Sequence, residues 1–159
     1  MISNKIKKLR HFLKLNNLDG YIVPKNDQFF SEYAYPNRLK EISNFTGSAG
    51  LAVILINKNF LFVDGRYTLQ AKIEAGKNFY IYEIPKFMPF EILKKNKKLS
   101  LGFDPKLFTN SSIEKNFKDS CNLFPLNQNL IDKLKSINLN QYKNKIFYQL
   151  KNKFAGETV

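Results

Sequence analysis

Ile2, Ile6, Leu9 and Leu13, with Phe12 beside them, recur at helical spacing, while Lys5, Lys7, Lys8 and Lys14 fall elsewhere around the turn. This predicts an amphipathic helix over residues 3–17, capped by Ser3 or Asn4 and ended by Asn16-Asn17-Leu18-Asp19-Gly20. Tyr21-Ile22-Val23 then reads as a short buried strand stopped by Pro24. Residues 25–37 are polar and aromatic without period, which predicts a long loop, and loops of that length are frequently functional. Residues 38–44 predict a short helix, followed by the small-residue turn Phe45-Thr46-Gly47-Ser48-Ala49-Gly50. Two continuous apolar runs, 51–56 and 60–63, are joined by Asn57-Lys58-Asn59 and predict an antiparallel hairpin buried on both faces.

Asp64-Gly65 breaks the second strand, and residues 66–75 predict a helix with Leu69 and Ile73 inward and Ala71 and Ala75 flanking. A strand over 79–84 and a Lys-rich helix over 86–98 follow, the latter starting near Met88 because Pro89 belongs in a first turn. A strand over 99–103 ends at Asp104-Pro105, Thr109 or Asn110 caps a helix to about Lys118, and 122–126 reads as a strand. Residues 129–135 predict a last short helix. From Ser136 onward Asn and Lys dominate and the pattern weakens, which divides the chain into a domain over 1–135 and a connector over 136–159. Strands alternating with helices, with one hairpin among them, predict an α/β layer fold with a mixed sheet.

Composition narrows the class. The chain has 159 residues and is 43% hydrophobic, enough for one domain with a sizeable core. No run approaches the roughly 20 apolar residues of a membrane span, which argues against a membrane partner. Arg10, His11 and Lys14 interrupt any apolar segment behind the basic start, so a cleaved signal peptide is not expected. Cys121 is the single cysteine, which fits a reducing, cytoplasmic compartment. The net charge of +13 invites a polyanion partner. The basic residues, however, are 23 Lys scattered along the chain against three Arg, with one denser patch at Lys94, Lys95, Lys97 and Lys98. Nucleic-acid binders favour the bidentate fork of Arg, so a solvated lysine-rich surface without a nucleic-acid partner is the preferred reading. A stand-alone basic nucleic-acid-binding module is the competing one.

Candidate chemistry is sparse. His11 is the only histidine and sits beside Arg10 on the first helix without an acidic partner nearby, so a Ser-His-Asp or Cys-His centre has no base. One Cys and one His make no zinc site, and the 13 acids are dispersed. No G-x-x-x-x-G-K-[ST] loop is present, and Gly47-Ser48-Ala49-Gly50 leads into a strand instead of a helix. No residue is assigned a catalytic or metal-ligating role. Cys121, before a short apolar run, reads as a buried small hydrophobe.

Three segments carry a resemblance: Asp19 to Pro36 with Asp-Gly-Tyr-Ile-Val-Pro and Ser31-Glu32-Tyr33; Ile42 to Gly50 with F-T-G-S-A-G; and Val63 to Ala71 with D-G-R-Y-x-x-Q-A. Leu101-Gly102-Phe103-Asp104-Pro105 and Asn129-Leu130-Ile131-Asp132 extend it. In this order they resemble the amino-terminal domain of Xaa-Pro aminopeptidases, in the creatinase/prolidase-like metallopeptidases, over residues 5 to 135. The resemblance implies a three-layer α/β domain with a mixed sheet flanked by helices, similar to ribonuclease H in architecture. It implies a non-catalytic role beside a separate catalytic domain. In the family that domain holds two divalent metal ions, usually manganese, and releases the first residue of peptides with proline second. It further implies a homodimer, with this domain restricting the substrate and contributing dimer contacts. Arg66 is similar to a peptide-binding position of the long members; the competing role is a structural ion pair with Asp64 or Glu32. Gly47 and Gly50 are read as sites of positive φ or close packing, Phe45 and Tyr67 as core, Ser48 as a partner for turn amides, and Gln70 as a loop hydrogen-bond donor. The amino-terminal domain of a related creatinase or prolidase is a further alternative. The chain departs from the long members after Asp132, where Lys-Leu-Lys-Ser stands in place of Trp and Arg-Pro.

Overall fold

The amphipathic stripe at the start of the chain forms helix α1 (Ile2–Leu15), which buries Ile2, Ile6, Leu9 and Leu13 and exposes Lys7, Lys8, His11 and Lys14. The computed structural model describes residues 1–31, 33–94, 98–117, 120–134 and 154. Neither Ser3 nor Asn4 caps α1. The helix begins one turn position earlier, with Met1 at the cap and no side-chain bond there, because Ile2 already belongs to the buried stripe. Its C-terminus closes as expected at the Asn pair. Asn17 takes φ 52°, and the amides of Asn17 and Leu18 donate to the carbonyls of Lys14 and Leu13, at 3.2 and 3.0 Å. These two bonds satisfy the last carbonyls of the helix.

Six strands make one mixed sheet: β1 (Gly20–Pro24), β2 (Gly50–Leu55), β3 (Asn59–Asp64), β4 (Tyr80–Ile84), β5 (Leu99–Phe103) and β6 (Cys121–Pro125), in the order β4-β3-β2-β1-β5-β6. The pairs β1–β2 and β2–β3 are antiparallel, and the other three are parallel. Alternation along the central strands divides the core in two. Tyr21, Val23, Ala52, Ile54, Leu61 and Val63 belong to a cluster with α1, α2 (Arg38–Ser43) and α3 (Thr68–Ala75). Ile22, Val53, Phe60, Phe62 and Leu101 belong to a second, with α4 (Pro89–Leu93) and α5 (Asn110–Phe117). Burial on both faces explains the continuous apolar runs in the sequence. The three-layer α/β architecture is the expected one.

Several elements differ from the sequence reading. On α3, Leu69 and Ile73 are 71% and 76% exposed, whereas Ala71 and Ala75 are buried. The helix is short and lies against β3 and β4 through its small side chains, and tethers on Gln70 and Glu74, described below, fix its rotation. Helix α4 is one turn long instead of spanning 86–98; its start at Met88 holds, with the Met88 amide donating to Glu91 Oε2 at 2.8 Å. Residues 95–97, Lys118 and the connector 136–159 apart from Phe154 lie outside the described residues, as does Glu32. Thr109, and not Asn110, caps α5: its Oγ1 accepts from the Ser112 amide at 3.1 Å. The last helix is a single 3₁₀ turn, Asp132–Leu134. It is fastened by Arg38, whose Nε and Nη2 donate to the two oxygens of Asp132 at 2.8 Å each. Asn129 Nδ2 donates to Asp104 Oδ2 at 3.0 Å, and the Leu130 amide to the buried Tyr21 hydroxyl at 3.3 Å. Cys121 is buried, and that burial raises its thiol pKa, as a structural cysteine requires.

Candidate functional site

The turn between α2 and β2 and the segment after β3 form one unit. Phe45 is fully buried beneath the turn, and its ring meets Tyr67 edge-on at 6.0 Å between centroids. A Cβ on Gly47 would stand 2.3 Å from Phe45 Cζ, and one on Gly50 would stand 3.0 Å from both Phe45 Cε1 and Leu39 Cδ2. Of the two roles considered for these glycines, close packing is therefore the one they play. Ser48 Oγ and Tyr67 Oη are hydrogen-bonded at 2.8 Å. The amide and hydroxyl of Thr46 each donate to Glu74, at 2.7 Å, and Gln70 Nε2 donates to Thr46 Oγ1 at 2.8 Å and to Glu74 Oε1 at 3.1 Å. F-T-G-S-A-G and D-G-R-Y-x-x-Q-A thus interlock around Phe45. Glu74 is the member that sequence reasoning missed. The available clue was an acid four residues after Gln70, on the same helix face, in a chain poor in acids.

Burial by itself would raise the Glu74 pKa, but the hydrogen bonds from Thr46 and Gln70 outweigh it and the net shift is downward. A depressed folded pKa stabilises the fold above the unfolded carboxylate value of about 4.3, and that contribution is lost as pH falls through the folded value. Glu74→Gln is therefore expected to lower the urea midpoint at pH 7 by the equivalent of about 1 kcal/mol or less, given solvent screening. The gap should close as pH falls below the folded value. A gap independent of pH would show that the charge plays no part.

The same unit aims Arg66. After β3 the chain makes a 3₁₀ turn, Gly65–Tyr67, capped by Asp64, whose Oδ1 accepts the Arg66 amide at 3.0 Å and Arg66 Nε at 2.8 Å. The guanidinium carbon lies 5.5 Å from the centre of the Tyr67 ring, and the side chain is 74% exposed. Of the two ion-pair partners considered, Asp64 is present. Its carboxyl pKa is lowered, first by the Arg66 side chain and then by the Arg66 amide. Asp64 also lines a cleft of about 380 Å³ at the ends of β1, β3 and β4, together with Asn26, Phe30, Phe62, Ile84 and Phe108. The cleft and the exposed guanidinium are thus joined through one carboxylate. Among the described residues no group of three or more His, Cys, Asp or Glu is arranged to hold a metal ion. Among them, too, no helix is long and apolar enough to cross a membrane.

The sequence matches the Creatinase/Prolidase N-terminal domain family over residues 5–137. The chain belongs to that family. As a creatinase/prolidase N-terminal domain it is similar to Xaa-Pro aminopeptidase 1 of Dictyostelium discoideum, with 35% identity across 98% of this chain and 28% of the relative. It is also similar to a probable Xaa-Pro aminopeptidase P of Coprinopsis cinerea, with 34% identity across 82% of this chain and 23% of the relative. The domain spans about a quarter of the length of these curated relatives. Among solved structures it is similar to the X-prolyl aminopeptidase of Caenorhabditis elegans, a cytosolic enzyme with a di-nuclear active site. The TM-score is 0.76 at 25% identity, across 86% of this chain and 26% of that one. The N-terminal domain of the cytoplasmic peptidase PepQ from Mycobacterium tuberculosis shares the fold, with a TM-score of 0.64 at 17% identity across 83% of this chain and 98% of that one. None of these matches supports the nucleic-acid reading.

Proposed function

We propose that this domain serves a cytoplasmic Xaa-Pro aminopeptidase, a hydrolase that removes the first residue of peptides with proline second. The observation that carries this is the similarity to Xaa-Pro aminopeptidases along nearly the whole chain. In this reading residues 136–159 lead from the domain over 1–135 towards a catalytic domain, and the assembly is a homodimer. Two divalent metal ions, manganese in this proposal, supply the hydrolytic chemistry from that catalytic domain, and no step in the present chain runs through them. The contribution of this chain is positional. Arg66, held at its base by Asp64, offers a guanidinium beside the cleft, where it binds carbonyl or carboxylate oxygens of the peptide in a fixed geometry. The surrounding domain is a wall that restricts the substrate. A prolidase or creatinase role has weaker support, because the curated relatives reported above are Xaa-Pro aminopeptidases.

The test is direct. The protein carrying this domain should release the first residue from an X-Pro peptide, lose that activity on chelation of divalent metal, and leave an X-Ala peptide intact. Equal release from the X-Ala peptide, or hydrolysis that survives chelation, would overturn the assignment. The 159-residue chain by itself should release nothing, with or without manganese.

A further inference from the structure

The walls of the cleft beside Asp64 are apolar: Phe30, Phe62, Ile84, Leu107 and Phe108 all line it. Its volume of about 380 Å³ lies near the lower end of the range for small-ligand sites, a size suited to a bulky side chain. The polar groups of the lining are largely committed within the protein. Asn26 Nδ2 donates to the carbonyls of Leu107 and Asp27, both at 2.9 Å. Asn116 Nδ2 donates to the Ser112 carbonyl at 2.7 Å, and the Ser112 hydroxyl to the Thr109 carbonyl at 2.9 Å. Among the described residues the one charged side chain of the lining is Asp64. An apolar group entering here covers aromatic and aliphatic surface and leaves these hydrogen bonds in place. An acidic group meets the Asp64 carboxylate and finds the side-chain amide of Asn26 and the hydroxyl of Ser112 already given to main-chain carbonyls.

We propose that this cleft is a subsite for a bulky apolar side chain of the peptide downstream of the proline, and that it excludes acidic side chains there. The inference rests on the peptidase reading above. A peptide held by Arg66 lies against Asp64, and Asp64 is part of the cleft wall. The cleft thus adds sequence selectivity beyond the first two residues of the substrate.

The experiment compares X-Pro-Phe-Phe, X-Pro-Gly-Gly and X-Pro-Glu-Glu as substrates of the protein carrying this domain. The expected order of kcat/KM is Phe-Phe, then Gly-Gly, then Glu-Glu, with Phe-Phe ahead of Glu-Glu by about tenfold or more. Asn116→Trp, whose lost hydrogen bond is local to α5, fills the cleft and should bring the Phe-Phe to Gly-Gly ratio towards one. Equal kcat/KM across the three peptides, or a Phe-Phe preference that survives Asn116→Trp, overturns the subsite while leaving the peptidase reading intact. If no X-Pro peptide is cleaved, the peptidase reading fails, and the cleft is judged separately by amide shifts. Titrating the 159-residue chain with the same peptides should then move the resonances of Phe108, Ser112 and Asn116 with Phe-Phe alone. No movement there also overturns it.

Discussion

Replacing Phe45 with alanine is expected to cost the domain about 3–5 kcal/mol, the usual span for deleting a fully buried phenylalanine. Phe45 has no exposed surface and is the body around which the motif unit closes: Gly47 and Gly50 lie against its ring, and Tyr67 meets its edge. The turn above it has no room to collapse into the cavity, because Thr46 and Ser48 are tethered to α3 and Tyr67 on the far side. Phe45→Leu keeps most of the volume and should lose about 1–2 kcal/mol. Urea denaturation of the two variants measures both numbers. An alanine variant within about 1 kcal/mol of the parent would show that the turn is not built on this ring. Because the same unit positions Arg66, Phe45→Ala should also weaken substrate binding in the full protein, an effect that stability alone does not predict.

The order of elements was readable from periodicity because each central strand is buried on both faces and each long helix on one, so burial is written directly into the apolar runs. The reading failed on α3, where periodicity points to Leu69 and Ile73 and the structure buries Ala71 and Ala75 instead. A helix pressed closely onto a sheet selects small residues for the contact, and hydrophobicity does not report how near two backbones lie. The failure at the end of the chain is of the same kind. Residues 129–135 read as a helix, yet only Asp132–Leu134 makes a 3₁₀ turn, and the order of Asn129–Asp132 comes from distant partners, Asp104, Tyr21 and Arg38, which only the fold brings near. The candidate site was legible in part. Arg66 stood out as one of three arginines among many lysines, and Asp64 as its neighbour. Glu74 and the cleft did not, since a tether from a helix to a turn 28 residues away and a concavity shared by loops and strand ends have no local signature.

Arg66→Ala in the full protein is expected to lower kcat/KM for X-Pro peptides by about ten- to a hundredfold, the scale of one charge-assisted hydrogen bond to substrate. Thermal stability should hardly change. The pair with Asp64 joins two residues close in sequence on an exposed turn, and such pairs contribute little to folding. That separation decides between the two roles assigned to this residue. If the guanidinium served only as a partner for Asp64, the variant would keep its kinetics. If it binds peptide, kinetics fall while metal content and melting temperature hold. Arg66→Lys sharpens the test, because lysine keeps the charge but not the planar fork that grips Asp64 through Nε while facing substrate. It should recover part of the loss in KM and little of the orientation expressed in kcat. Asp64→Asn is the complementary variant: Arg66 keeps its charge but loses the carboxylate that aims it, so the expected defect is smaller than that of Arg66→Ala and of the same kind. A defect in Asp64→Asn as large as in Arg66→Ala would mean that aim, more than charge, is what the motif supplies.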